Sequence, residues 1–317
     1  MFEMCKVGFT VIALLLLTAL ATPMGLCATP DDARMHVAEA YEAVLEAYEA
    51  GGNVTLLIGR LNEALKLIAE AESSGDLSPL DEANRLIKSV IEDAPKVRDE
   101  GLKSRNSMYI LYGSTLTMAV ALAVLAYFYG PRLFWRIWVR LRADHRVSPC
   151  SGGGSSPMIL SSEAWAVVMA VILVGAVFAA SQIITAGRVT EPFSELGVLG
   201  PKMKIGDYPR TVIVGEKFRL YLYVGNHMGK PIYYVVFVKL GNASTPVDPM
   251  PVEPFMRLDL ILMHGENRTV PVDIGLTESG VDKRLIFELW VYNSTVKDFT
   301  YHGRWCQLWL NVTAPPG

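Results

Sequence analysis

The spacing of apolar and polar positions changes character along the chain. Over residues 28–106, apolar side chains recur at three- and four-residue steps. Val37, Tyr41, Val44, Leu45 and Tyr48 form one stripe, and Leu57, Leu61, Leu65 and Ile68 a second. Ala83, Leu86, Ile87, Val90 and Ala94 form a third. That is the helical period, and three such stripes predict a small α-helical bundle. Thr29-Pro30-Asp31-Asp32 supplies a cap, a proline at the first helical position and acids in the first turn. Gly51-Gly52 and Ser73-Ser74-Gly75 mark the stops, and Pro95 is expected to bend or end the third helix.

From residue 187 the period falls to two. Phe218, Leu220, Leu222 and Val224 alternate with Lys217, Arg219, Tyr221 and Tyr223. Strands are expected at 210–214, 217–224, 232–240, 257–263, 269–276, 284–292 and 305–312, separated by turns such as Asn226-His227-Met228-Gly229. Short strands of this kind over 187–317 predict an all-β immunoglobulin-like sandwich.

Between these regions the pattern is apolar without a period. Residues 108–129 carry no charge and have tyrosines at both ends, and residues 164–186 are again uncharged. They are expected to be two transmembrane helices, at 107–130 and 164–186. The chain begins with an apolar run over 7–21 behind Lys6, shorter than a span, so residues 1–27 read as a signal peptide. The fold class expected is therefore a multidomain membrane protein: a helical bundle, two transmembrane helices and an immunoglobulin-like sandwich.

Charge orients this map. Residues 131–163 hold five arginines, Arg132, Arg136, Arg140, Arg142 and Arg146, against Asp144 and Glu163. Cytoplasmic loops are rich in Arg, so this segment is expected inside, with the bundle and the sandwich both extracytoplasmic at the plasma membrane. Trp135 and Trp138 interleave with Arg132, Arg136, Arg140 and Arg142, the pattern of a short amphipathic helix on the inner membrane surface. SGGGSS at 151–156 reads as a flexible linker. The overall net charge is −3, which gives no reason to expect a nucleic-acid partner, and none is expected. Hydrophobic residues make up 51% of the chain and mean hydropathy is +0.29, which suits a lipid bilayer as partner.

Five Asn-x-Ser/Thr sequons, at Asn53, Asn242, Asn267, Asn293 and Asn311, exceed the roughly one expected by chance and are candidate glycosylation sites. Gly113, Thr117 and Ala121 in the first apolar run, and Gly175 and Ala179 in the second, place small residues four apart and are candidate helix-packing positions.

Catalytic signatures are missing from the sequence. His36, His145, His227, His264 and His302 are scattered and none belongs to a metal or nucleophile motif; the run Gly152-Gly153-Gly154-Ser155 lacks the lysine of a phosphate loop. Asp207, Glu216 and Asp259 are acids near strand ends, where carboxylates are usually exposed rather than paired for catalysis. No cofactor, metal or small-molecule substrate is expected. The functional expectation is a non-enzymatic cell-surface protein, a structural or accessory binding subunit of a membrane or surface-layer complex. The alternative is a sensor that relays an outer binding event to a cytoplasmic partner.

The ordered series EPFSELGVLGP (191–201), DYP (207–209), VGE (214–216) and VGNHMGKPIYY (224–234) resembles an archaeal group of membrane-tethered proteins catalogued only as a domain of unknown function. The resemblance implies an extracytoplasmic immunoglobulin-like β domain beside spanning helices, and no activity.

Overall fold

The computed structural model describes residues 29–142, 162–185 and 191–315. Thr29 caps the first helix as its sequence suggests, with its hydroxyl oxygen accepting from the Asp32 amide (3.2 Å). Helix α1 spans Pro30–Glu49, α2 Thr55–Ser74, α3 Ser78–Arg142 and α4 Ser162–Thr185. Two compact units result. One joins the chain up to Leu102 with residues from Pro192 on; the other runs from Lys103 to Glu191.

In the first unit, α1, α2 and the start of α3 bury Val37, Tyr41, Leu61, Ile68, Ile87 and Val90. The turn after α1 meets α3 backbone to backbone. A Cβ on Gly101 would lie 2.4 Å from the Gly52 nitrogen, so only glycine fits there. Pro95 does not end the third helix. Its ring removes one backbone donor, but Ala94 before it is buried and Val97 after it packs against the same core, and packing carries the helix through.

The β part contains β1 (Ser194–Leu199), β2 (Thr211–Ile213), β3 (Lys217–Asn226), β4 (Ile232–Gly241), β5 (Met256–Leu262), β6 (Asn267–Gly275), β7 (Gly280–Asn293) and β8 (Asp298–Thr313). They form a sandwich of two sheets, ordered β1-β3-β6 and β2-β8-β7-β4-β5. All neighbours are antiparallel except β2 and β8. Leu220, Leu222, Val224, Tyr234, Val236, Phe287 and Leu289 fill the space between the sheets. Strand β1 is not marked by the hydrophobic pattern, because Ser194 takes a buried position and only Leu196 and Val198 give its inner face an apolar signal.

The outer face of the five-stranded sheet is covered too. Tyr233 and Val235 of β4 and Ile261 of β5 belong to the same core as α1, α2 and α3. Edge strand β5 is masked by α2. Asn62 Nδ2 donates to the Ile261 carbonyl (2.8 Å) and its Oδ1 accepts from the Ile261 amide (2.9 Å). The exposed pairing edge of the sheet is thus closed by one side chain at this point.

The second unit corrects the expected fold class. Among the described residues, no helix is both long and apolar enough to cross a membrane. The two transmembrane helices expected at 107–130 and 164–186 are therefore not found. The first run is no self-contained apolar helix but the interior of α3, which has 65 residues and charged side chains on both flanks. Within it Ser114, Thr115 and Thr117 turn their hydroxyls onto the carbonyls of Leu111, Tyr112 and Gly113. In α4, Ser181 and Thr185 do the same. Apolar side chains do stand exposed on both helices, among them Ile110 and Leu111 on α3 and Leu173, Val177 and Phe178 on α4.

Candidate functional site

Strand β4 and residues 285–292 of β7 are apolar on both faces, yet each stretch holds one charge, Lys239 and Glu288. The register places them on the outer face of the sheet, one step apart across the β4–β7 ladder. Both are buried, with side chains 8% and 0% exposed, and they pair at 2.9 Å. Lys239 Nζ also donates to the Met250 carbonyl (2.8 Å), and Glu288 Oε1 accepts from the Met250 amide (2.5 Å). The pair thereby pins the β4–β5 connection over the sheet. A charge buried this way is tolerable only because every strong donor and acceptor has a partner.

A second ion network lies where α1 meets β5. Asp259, 6% exposed, accepts from Arg257 in a two-pronged contact (2.9 and 2.7 Å) and from the Tyr233 hydroxyl (2.9 Å). Arg34 of α1, equally buried, approaches Asp259 at 3.4 Å, meets Asp31 at 3.1 Å and bonds Glu72 of α2. Burial works against the Arg34 charge, but the bond to Glu72 and the nearby Asp259 outweigh it, and its pKa is raised. Burial, with the Asp259 charge next, drives the Tyr233 hydroxyl well above its ordinary value.

Aromatic rings bind the helices to the sheet alongside these ions. Tyr41 meets Tyr233 and Tyr292 edge-on, both at 5.9 Å, and Phe299 meets Tyr233 at 5.0 Å. Tyr41 donates to the Pro231 carbonyl (2.9 Å), Tyr48 to that of Gly229 (3.0 Å) and Tyr292 to Glu42 (2.9 Å). Burial and the Glu42 bond push the Tyr292 hydroxyl up to about 12.

Between these two networks opens a cleft of about 840 Å³. Phe237 and Trp290 form aromatic walls, 5.6 Å apart at 76°. Arg34, Lys239 and Arg257 line it as cations and Asp31, Glu72 and Glu253 as acids. The Arg257 guanidinium is flanked by the rings of Phe299 (5.1 Å) and Phe237 (5.8 Å), and adjoining hollows also reach it. Its side chain is fixed by Asp259 through Nε and Nη2. Among the described residues Nη1 makes no bond.

The residues singled out from sequence lie elsewhere. Asn53, Asn242 and Asn267 are exposed, while Asn293 and Asn311 are half-buried. In three sequons the carboxamide oxygen folds onto the residue two ahead: Asn53 accepts from Thr55, Asn242 from Ser244 and Asn293 from Thr295. Asn311 accepts from the Asp282 amide (2.9 Å). The small-residue positions are not brought together. A Cβ on Gly113 or Gly175 would meet nothing within 4 Å, and Thr117, Ala121 and Ala179 are exposed.

Arg132, Trp135, Arg136, Trp138, Arg140 and Arg142 fall on the last turns of α3, which is continuous through them rather than a separate short helix. The rest of the basic loop, the signal peptide over 1–27 and the linker at 151–156 lie outside the described residues. Asp207 pairs with Lys202 (3.0 Å), whereas Asp259 is buried against Arg257 (2.7 Å). His227 stacks on Phe193 (4.5 Å), and His302 bonds the Ser194 hydroxyl (2.9 Å). Among the described residues no group of three or more His, Cys, Asp or Glu is placed to hold a metal ion.

The cleft was missed in the sequence, though one signal was there. Strands apolar on both faces require cover on both faces. A lone Lys and a lone Glu inside two such apolar stretches must then find each other.

Residues 188–311, fewer than half of the chain, match a protein family described as a domain of unknown function (DUF1616). No curated protein matches the chain. Among solved structures, the chain is similar to the CARDB domain of a Pyrococcus furiosus protein in complex with di-metal ions. The identity is 13% over 39% of this chain and 90% of that one, with a TM-score of 0.27. A β-glucosidase from Listeria innocua matches at 15% identity over 39% of this chain and 16% of its own, with a TM-score of 0.24. An α2-macroglobulin fragment from Escherichia coli matches at 18% over 39% and 17%, also with a TM-score of 0.24. The sandwich rests on its own strand pairing.

Proposed function

We propose that the protein is a non-enzymatic accessory binding subunit of a complex at the outer surface of the cell, and that the helix–sheet unit is its binding part. The observation that carries this reading is the cleft between the two ion networks. Its three cations are each held by a carboxylate: Lys239 by Glu288, Arg257 by Asp259, Arg34 by Glu72. Groups tied in this way are held in fixed positions, which suits recognition better than proton transfer. The enrichment of sequons and the export-like start of the chain support a place outside the cytoplasm. Exposed apolar side chains on α3 and α4 support association with further subunits, since a free protein seldom leaves such faces uncovered.

Affinity purification of the full chain from its native cells, after brief cross-linking, tests this. A stoichiometric co-purifying protein is the expected result. Recovery of the chain by itself, with and without cross-linker, would refute the accessory role.

A further inference from the structure

We infer that the cleft takes a neutral saccharide; this rests on the binding role proposed above and names its ligand. Charge is the first argument. Three cations face three acids on the walls, and beneath them Glu288 and Asp259 are buried. An incoming anion would meet these carboxylates, and an incoming cation would have to compete with arginine and lysine already in place. A ligand without net charge avoids both costs.

Surface chemistry is the second argument. Phe237 and Trp290 line the cleft as half-buried rings, the apolar contact that the C–H groups of a sugar ring take, with Arg257 near the one and Lys239 near the other (both 5.8 Å). Around them stand hydrogen-bonding groups of both kinds. Arg257 offers Nη1, while Asp31 and Glu253, both exposed, offer acceptor oxygens. A polyol needs that mixture, because each hydroxyl both donates and accepts.

Rigidity is the third. The Arg257 fork is locked by Asp259 and by two rings, and the Trp290 indole donates to Glu288 (3.3 Å) beside the locked Lys239. Little freedom is left to lose on binding. The volume lies within the range of small-ligand sites and is open enough for a short oligosaccharide.

The test is calorimetric titration of the full chain with maltotetraose, cellotetraose and mannotetraose. A tetragalacturonate, a chitosan tetramer and a proline-rich decapeptide serve as separate arms. At least one neutral sugar binds, with an affinity unchanged between about 0.05 and about 0.5 M salt, since no net ion pair forms. Trp290→Ala weakens it about tenfold or more. Glu253→Gln, on the exposed rim, weakens it several-fold with no change in melting temperature, which separates loss of binding from loss of fold. The inference is overturned if no neutral sugar binds, if only a charged sugar or the peptide binds, or if both variants bind as the wild type does. A stoichiometric protein partner that still co-purifies in that case leaves the accessory role standing and removes only the saccharide.

Discussion

Replacing Asn62 tests how the helices are joined to the sheet. Its carboxamide makes two bonds to one residue of edge strand β5, donating to the Ile261 carbonyl at 2.8 Å and accepting from its amide at 2.9 Å. Asn62→Ala removes both. If water reaches the freed groups, the loss is that of two ordinary bonds, about 2 kcal/mol. Ile261 is fully buried between α2 and β4. If water is kept out, its amide and carbonyl are stranded and the cost rises to about 4 kcal/mol. Asn62→Asp gives a sharper reading: the carboxylate still accepts from the amide but sets an oxygen against the carbonyl. It should cost at least as much as alanine at neutral pH. Urea unfolding of the full chain measures the stabilities, and amide exchange at Ile261 measures the edge directly. A loss under about 0.5 kcal/mol for Asn62→Ala, with protection at Ile261 unchanged, would show that this contact does not join helix to strand.

Three other outcomes follow from the same structure. Gly101→Ala should destabilise by about 1–3 kcal/mol, because its Cβ would lie 2.4 Å from the Gly52 backbone; Gly59→Ala, facing open space inside α2, should stabilise by about 0.5–1 kcal/mol. Thermal melts of the pair check this, and equal signs would contradict it. Burial, and then the Arg304 charge, holds the His302 pKa below its ordinary value. The unfolded chain therefore takes up a proton at about pH 6.5 before the folded one does, and stability falls as the pH drops through that point but stays level above it. His302→Gln should flatten this slope in melts between about pH 5 and about pH 7.5; an identical slope in both forms counts against it. Glycopeptide mass spectrometry of natively expressed protein should find the exposed Asn53, Asn242 and Asn267 occupied ahead of the half-buried Asn311; the reverse order would be inconsistent with access as the control.

Much of the local structure is determined by the sequence itself. The Thr29 cap, the stripes of α1 and α2 and the alternation in β3 depend only on neighbours three, four or two positions away. Backbone geometry makes those spacings contacts. Where the local pattern failed, a distant partner had overruled it. Pro95 lies within α3 because Ala94 before it and Val97 after it pack against the core that α1 and α2 share. The uncharged run at 108–129 looked like a helix complete in itself, yet it continues unbroken into α3 on both sides, and helix length is decided by what lies beyond an apolar window.

The cleft belongs wholly to the tertiary structure. Arg34 and Asp259 are 225 positions apart, and nothing in the period of α1 or β5 says that one covers the other. The unbroken apolar character of β4 and β7 did require a cover on the outer face, but not its identity. Only folding showed that α1 and α2 are that cover, that Tyr41 and Asn62 fasten it, and that Lys239 and Glu288 are buried beneath the loop that closes one side. The reason is physical: side-chain period follows from backbone geometry, whereas the pairing of two apolar faces depends on shape and charge matched over the whole surface.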